Sequence, residues 1–279
     1  MMRTTIVLVF TLAAAGCGAG VASNGQQRVV AAFYPLAYAA QQVGGRTVSV
    51  RNLTPAGAEP HDLEVSPSDV QAVHAADVVL LLGHGFQPQL ERAAGRGRRV
   101  LSLLDTPGLH RFANGDPHVW LDPLRYALIV KRIGAALHRR AQAARFVARL
   151  HVLDADYRRG LAHCARHDIV TSHEAFAYLA QRYGLRQIAL TGLNPEAEPT
   201  PGDLAHVVDL VRKTHATTVF FETLVSPRIA DTVAREAHAA TAVLDPIEGV
   251  TPAEAKRGAN YFTIMRANLR ALRRALGCR

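Results

Sequence analysis

From Pro123 to about Cys164 the chain carries no strand signal, while on both sides of that stretch short β-branched runs alternate with helical patterns. Val29 to Phe33 and Val78 to Leu82 are apolar at consecutive positions, as strands buried on both faces must be, and Ile169 to Thr171 and Thr218 to Phe221 are further short strands. Strands of this kind separated by helices belong to parallel βαβ units. The fold class is therefore α/β, with one lobe over about 28–122 and a second over 165–279. Within 123–164 apolar positions recur at three- and four-residue spacing (Leu128, Ile129, Ile133, Leu137; then Phe146, Leu150, Leu153, Tyr157, Leu161), which predicts helices over about 123–140 and 142–163. The second is long enough to connect the lobes. A final helix is expected over about Pro252 to Leu276.

The first residues restrict the compartment. Met1-Met2-Arg3 is a short positive segment and Ile6 to Ala15 an apolar one, too short to span a bilayer as a helix, so residues 1–16 read as an export signal. It ends in Ala14-Ala15-Gly16-Cys17, which resembles the lipobox of bacterial lipoproteins, although Ala14 stands where leucine is usual. That resemblance implies lipidation of Cys17, with residues 17–27 as the linker. Of the three cysteines, Cys164 and Cys278 then remain. Outside the cytoplasm an even pair points to a disulfide, here closing a loop of about 114 residues; two unpaired buried thiols are the alternative.

The formal charge is +9, and +8 once Arg3 is removed with the signal (9 − 1). Nucleic-acid binding is the first reading of such a balance. The arginines are scattered, however, aromatic residues make up only 6%, and no basic tract runs beyond a few residues. A cationic surface that aids solubility or meets anionic envelope polymers accounts for the charge with no nucleic-acid partner.

Among 13 histidines a few stand out by position. His61 lies in a loop stiffened by Pro55, Pro60 and Pro67 and flanked by Glu59, after the strand ending at Asn52. His173 directly follows the strand Ile169 to Thr171 and Ser172; Glu222 and Asp245 directly follow later strands. In an open parallel sheet, ligands bind beyond the carboxyl ends of strands. His118, in Asp116-Pro117-His118-Val119-Trp120-Leu121-Asp122-Pro123, precedes the connecting helices. No local metal-finger spacing exists, so any metal site has to be assembled by the fold, between the lobes.

Several segments occur in a telling order: Phe33-Tyr34-Pro35-Leu36, Glu59-Pro60-His61-Asp62-Leu63-Glu64 with Ser66-Pro67-Ser68-Asp69, the segment around His118, Thr171-Ser172-His173-Glu174-Ala175-Phe176-Ala177-Tyr178-Leu179, Glu198-Pro199-Thr200-Pro201, Phe221-Glu222 and Leu244-Asp245-Pro246. Together they resemble the metal-binding lipoproteins of zinc/manganese ABC uptake systems, over essentially the whole chain after residue 27. The resemblance implies two chelatase-like lobes joined by one long rigid helix. It also implies an interlobe metal held by His61, His118, His173 and Asp245, with Glu59 as an alternate oxygen ligand. A histidine at the third position favours zinc (Zn²⁺) over manganese, in line with the match of imidazole to zinc. The implied partners are an ABC permease and, through it, an ATPase, for a monomeric receptor outside the cytoplasmic membrane. One departure is that Thr106 to Gly115 is short and holds only His110, where many zinc importers of Gram-negative bacteria carry a long His-rich loop. An adhesin-like second role stays open. From another class, a secreted zinc hydrolase with Glu59 or Glu222 as general base remains the alternative, against which stands the absence of any HExxH sequence.

Overall fold

The computed structural model describes residues 25–279; the export signal and Cys17 lie outside the described residues. Two four-stranded parallel sheets make up the two lobes. In the first, β1 (Gln27–Ala31), β2 (Val48–Asn52), β3 (Val78–Leu81) and β4 (Val100–Ser102) are ordered β2-β1-β3-β4. In the second, β5 (Asp168–Thr171), β6 (Arg186–Ala189), β7 (Thr218–Phe221) and β8 (Ala240–Val243) are ordered β6-β5-β7-β8. Each lobe thus places its first strand inside the sheet, flanked by its second and third, and the two repeat one topology.

In the first lobe α1 (Tyr34–Gly44), α2 (Pro67–Ala75) and α3 (Pro88–Ala94) connect the strands; α6 (Ala177–Tyr183), α7 (Pro201–Lys213) and α8 (Arg228–Ala237) do so in the second. Their starts are encoded locally. Ser66 caps α2 and Thr200 caps α7, each in a capping box with the aspartate three residues on, Asp69 and Asp203, and each followed by proline at the first helical position.

Between the lobes run α4 (Pro123–Ala136) and α5 (Arg140–Gly160). The Asp122 carboxylate caps α4 by accepting from the Leu124 and Arg125 N–H groups. With 21 residues, α5 is about 30 Å long. It packs on α4 and α1 of the first lobe and on α10 (Tyr261–Leu276) of the second. Gly134 makes the α4–α5 approach possible: a Cβ there would come within 2.3 Å of the Ala143 Cβ. One apolar core runs unbroken from β1 through Tyr126, Phe146, Leu150 and Tyr157 to Phe262, Met265 and Leu272. A smaller core, including Val170, Val211, Val219 and Val233, lies between the second sheet and α7 and α8.

Arg182 of α6 reaches back to the spine, with Nε 2.6 Å from Asp154 Oδ1 and 3.2 Å from Asp122 Oδ1. A disulfide joins Cys164 to Cys278, tying the entrance of the second lobe to the chain after α10.

The expected single helix over 252–276 is two. A short α9 (Pro252–Lys256) ends near Gly258, whose φ of +76° breaks the helical path, and Asn260 then caps α10 by accepting from the Phe262 and Thr263 N–H groups.

Candidate metal centre

The carboxyl ends of both sheets face one cleft, and four side chains meet there. His61 sits in the loop after β2; its backbone N–H donates to Glu59 Oε1 at 3.2 Å. His118 precedes a single 3-10 turn, Val119–Leu121, ahead of α4. His173 lies two residues beyond β5, and its carbonyl accepts from Thr171 Oγ1 at 2.8 Å and from Gln187 Nε2 at 2.9 Å. Glu248 comes from the loop after β8. One donor atom from each of these four residues lies within 4.8 Å of every other.

The separations fit a single small ion. Glu248 Oε1 is 2.8 Å from His118 Nε2, 3.1 Å from His61 Nε2 and 3.6 Å from His173 Nε2. The Nε2 atoms of His118 and His173 are 3.4 Å apart. Four donors placed about 2.0–2.1 Å from a tetrahedral zinc would be about 3.3 Å from one another. The three separations from Glu248 and the one between His118 and His173 lie close to that spacing, and the second oxygen of Glu248 is buried with no hydrogen-bond partner.

Two of the imidazoles are aimed by carboxylates. Asp116 Oδ1 is 2.7 Å from His118 Nδ1 and also accepts the His118 backbone N–H at 2.9 Å. Glu222 Oε1 is 2.6 Å from His173 Nδ1 and is also bonded by the Ser172 hydroxyl. A carboxylate on Nδ1 holds the proton there and leaves Nε2 to face an ion, as outer partners of metal-bound histidines do. Phe86 packs edge-on to His61, with ring centroids 4.8 Å apart, and Trp120 lies 5.1 Å from the His118 ring, so apolar walls back the polar centre.

Burial and mutual contact set the protonation of these groups. Burial opposes a charge on His173, but hydrogen bonds and attraction from Glu222 and Glu248 outweigh it and push its pKa up to about 10. His118 is raised for the same reasons, with Asp116 in the place of Glu222. Burial also opposes ionisation of Glu248, yet the hydrogen bonds from His118, His173 and His61 hold its carboxyl well below the usual carboxylate range. Glu59 is pushed up to about 9, by burial first and by repulsion from Glu248 second.

Thus His61, His118 and His173 come together as expected positions, and Asp245 does not join them. Asp245 is buried, but its carboxylate is turned into its own loop: Oδ1 accepts the Ile247 N–H at 2.7 Å and Oδ2 the Thr223 hydroxyl at 3.3 Å. Burial, its largest influence, pushes its pKa up to about 7. The fourth donor is Glu248, three residues further on. The sequence signal for it was an acid in Asp245-Pro246-Ile247-Glu248-Gly249, one short loop past a strand end. Glu59 and Glu222 each touch a histidine of the cluster without contributing a donor atom to it.

The chain is similar to proteins named for zinc binding and zinc uptake. The zinc-binding lipoprotein AdcA of Streptococcus pneumoniae is 32% identical over 281 residues, an alignment covering 90% of this chain and 56% of AdcA. The chain thus spans little more than half the length of that relative. The high-affinity zinc uptake system protein ZnuA of Bacillus subtilis is 30% identical over 288 residues, covering 93% of this chain and 90% of ZnuA. Among solved structures, the Zn(II)-bound ZnuA-like domain of S. pneumoniae AdcA superposes with a TM-score of 0.78 at 33% identity, covering 90% of this chain and 99% of that domain. The laminin-binding protein Lmb of Streptococcus agalactiae, described as having adhesin and metal-transporting activity, gives 0.82 at 29% identity, with coverage of 90% and 99%. The family described as ZnuA, zinc-uptake complex component A, periplasmic, matches residues 29–275, and the chain belongs to that family.

Proposed function

We propose that this chain is the extracytoplasmic zinc-binding component of an ABC uptake system. It captures Zn²⁺ between its lobes with His61, His118, His173 and Glu248 and passes it to a membrane permease driven by an ATPase. The observation that carries this reading is the donor set itself: three imidazole nitrogens and one carboxylate oxygen, all within 4.8 Å of one another. Nitrogen-rich sets suit zinc, whereas manganese prefers oxygen-rich ones. Four protein donors also fill a tetrahedron, while a catalytic zinc keeps a position for water. Capture and release therefore fit the site better than hydrolysis.

Attachment through a lipidated Cys17 would hold a monomeric receptor at the outer face of the membrane, within reach of its permease, without a spanning helix. Among the described residues no helix is long and apolar enough to cross a membrane.

Equilibrium dialysis of the purified protein against zinc, manganese and iron, followed by elemental analysis, tests the reading. One zinc per chain, retained against excess manganese, is expected. Preferential retention of manganese or iron, or no metal above buffer level, would overturn it.

A further inference from the structure

Glu248 is held by no helix or strand. It belongs to the loop between β8 and α9, in which Ile247, a β-branched residue, has φ +60°, a conformation that such residues rarely adopt. A loop of this kind keeps its shape only if the surrounding structure over-determines it.

Three contacts do so. Asn268 of α10, 2% exposed, brackets Asp245: its Oδ1 accepts the Asp245 N–H at 3.0 Å and its Nδ2 donates to the Asp245 carbonyl at 2.7 Å. Asp245 in turn accepts the Ile247 N–H, which bends the chain toward the cleft. Trp120, two residues after His118, donates its indole N–H to the Pro246 carbonyl at 2.7 Å. The position of Glu248 thus depends on an amide in α10 and an indole beside His118.

The amide is the less obvious part. Around it on α10 stand Ile264, Met265, Ala271 and Leu272, all buried. A polar amide at such a position loses solvation that an apolar side chain would not lose, unless it is fully paired. Here both of its ends are paired, and both go to the backbone of Asp245 rather than to any group in its own helix.

We infer that Asn268 is a positioning residue for metal binding: through Asp245 it fixes the loop that presents Glu248 to the three histidines. This rests on the zinc-binding reading above. Removing the amide frees the loop, so that the carboxylate is no longer pre-set at ion-binding distance; groups that orient a ligand in this way are typically worth about 10- to 100-fold in metal affinity.

The test is a double-mutant cycle on the purified protein, with zinc affinity measured by competition with a chelator. Asn268→Leu, with the same branching of heavy atoms but no hydrogen-bonding atoms, is expected to weaken zinc about 10- to 100-fold. Glu248→Gln weakens it as well, and the double variant should bind like Glu248→Gln alone, since the amide acts only through that carboxylate. The visible spectrum of bound Co²⁺ should change in the same sense in both single variants. Wild-type zinc affinity in Asn268→Leu, or a loss that adds in full to that of Glu248→Gln, would overturn the inference. If the leucine variant does not fold, Asn268→Thr serves in the same cycle with the same outcomes. Equal zinc affinity of the wild type and Glu248→Gln would instead refute the ligand assignment itself.

Discussion

His173 shows how one side chain can be both ready for a cation and reluctant to give up a proton. Glu222 holds its Nδ1 and Glu248 lies 3.6 Å from its Nε2, so in the metal-free protein the imidazolium is favoured up to about pH 10. Zinc requires the neutral ring and must displace that proton. Because the raised pKa keeps the proton bound across neutral pH, zinc affinity should keep rising above pH 7, where a free imidazole near 6.5 would already be neutral. We expect release of at least about one proton per zinc at pH 7.5, measured by calorimetry in buffers of different ionisation enthalpy; zero release would contradict this account of His173. Glu222→Gln removes the charge that holds Nδ1 and should weaken zinc by about 10- to 100-fold while leaving the fold intact. Wild-type affinity in that variant would show that the contact does not orient the ring.

At this scale the sequence was informative where a residue follows a strand directly. His173 and Glu222 are such residues, and both are at the centre. Asp245 is one too, but its small side chain is used to close a turn onto Ile247, and the longer Glu248 fills the gap. That distinction needs the backbone path of the loop, including the positive φ of Ile247, which no residue pattern announces.

At the level of elements, the helices joining the lobes were legible because their apolar period is unbroken for most of four turns each. The break at 257–260 was not, since the Asn260 cap lies inside a run that reads as one amphipathic helix. The packing of α5 on α4 depends on Gly134. Gly→Ala in a helix ordinarily adds up to about 1 kcal/mol. Here the added methyl meets Ala143 and the helices must part, so Gly134→Ala should lower Tm, as overpacking by about 1–3 kcal/mol does. A raised Tm in a thermal melt would show that the interface has slack. The disulfide pins the chain at the other end of the spine. Replacing Cys164 and Cys278 with alanine should cost about 2–5 kcal/mol of stability in denaturant titrations. Zinc affinity should stay unchanged, because neither cysteine is among the four clustered donors.

For the whole molecule, the two-lobe α/β plan was written in the alternation of strands and helices on either side of 123–164, whereas the strand order that the two sheets share was not. What the alternation could not give is the relative placement of the sheets that brings His61 and His118 against His173 and Glu248. That placement comes from a core continuous across both lobes, with Tyr126 and Tyr261 buried in it and the Tyr261 hydroxyl bonded to the Trp120 carbonyl at 2.7 Å. Since zinc would bind the folded state through both lobes, it should raise Tm with concentration, adding about 2.7 kcal/mol at a hundred times Kd.

The central claim, that these four side chains hold zinc between the lobes, is tested most directly by a crystal structure of the zinc-loaded protein with anomalous data collected on both sides of the zinc edge. The account predicts one strong zinc peak per chain, about 2.0–2.2 Å from Nε2 of His61, His118 and His173 and from a carboxylate oxygen of Glu248. A peak coordinated by Asp245 or Glu59 in place of Glu248, or located outside this cleft, would contradict it.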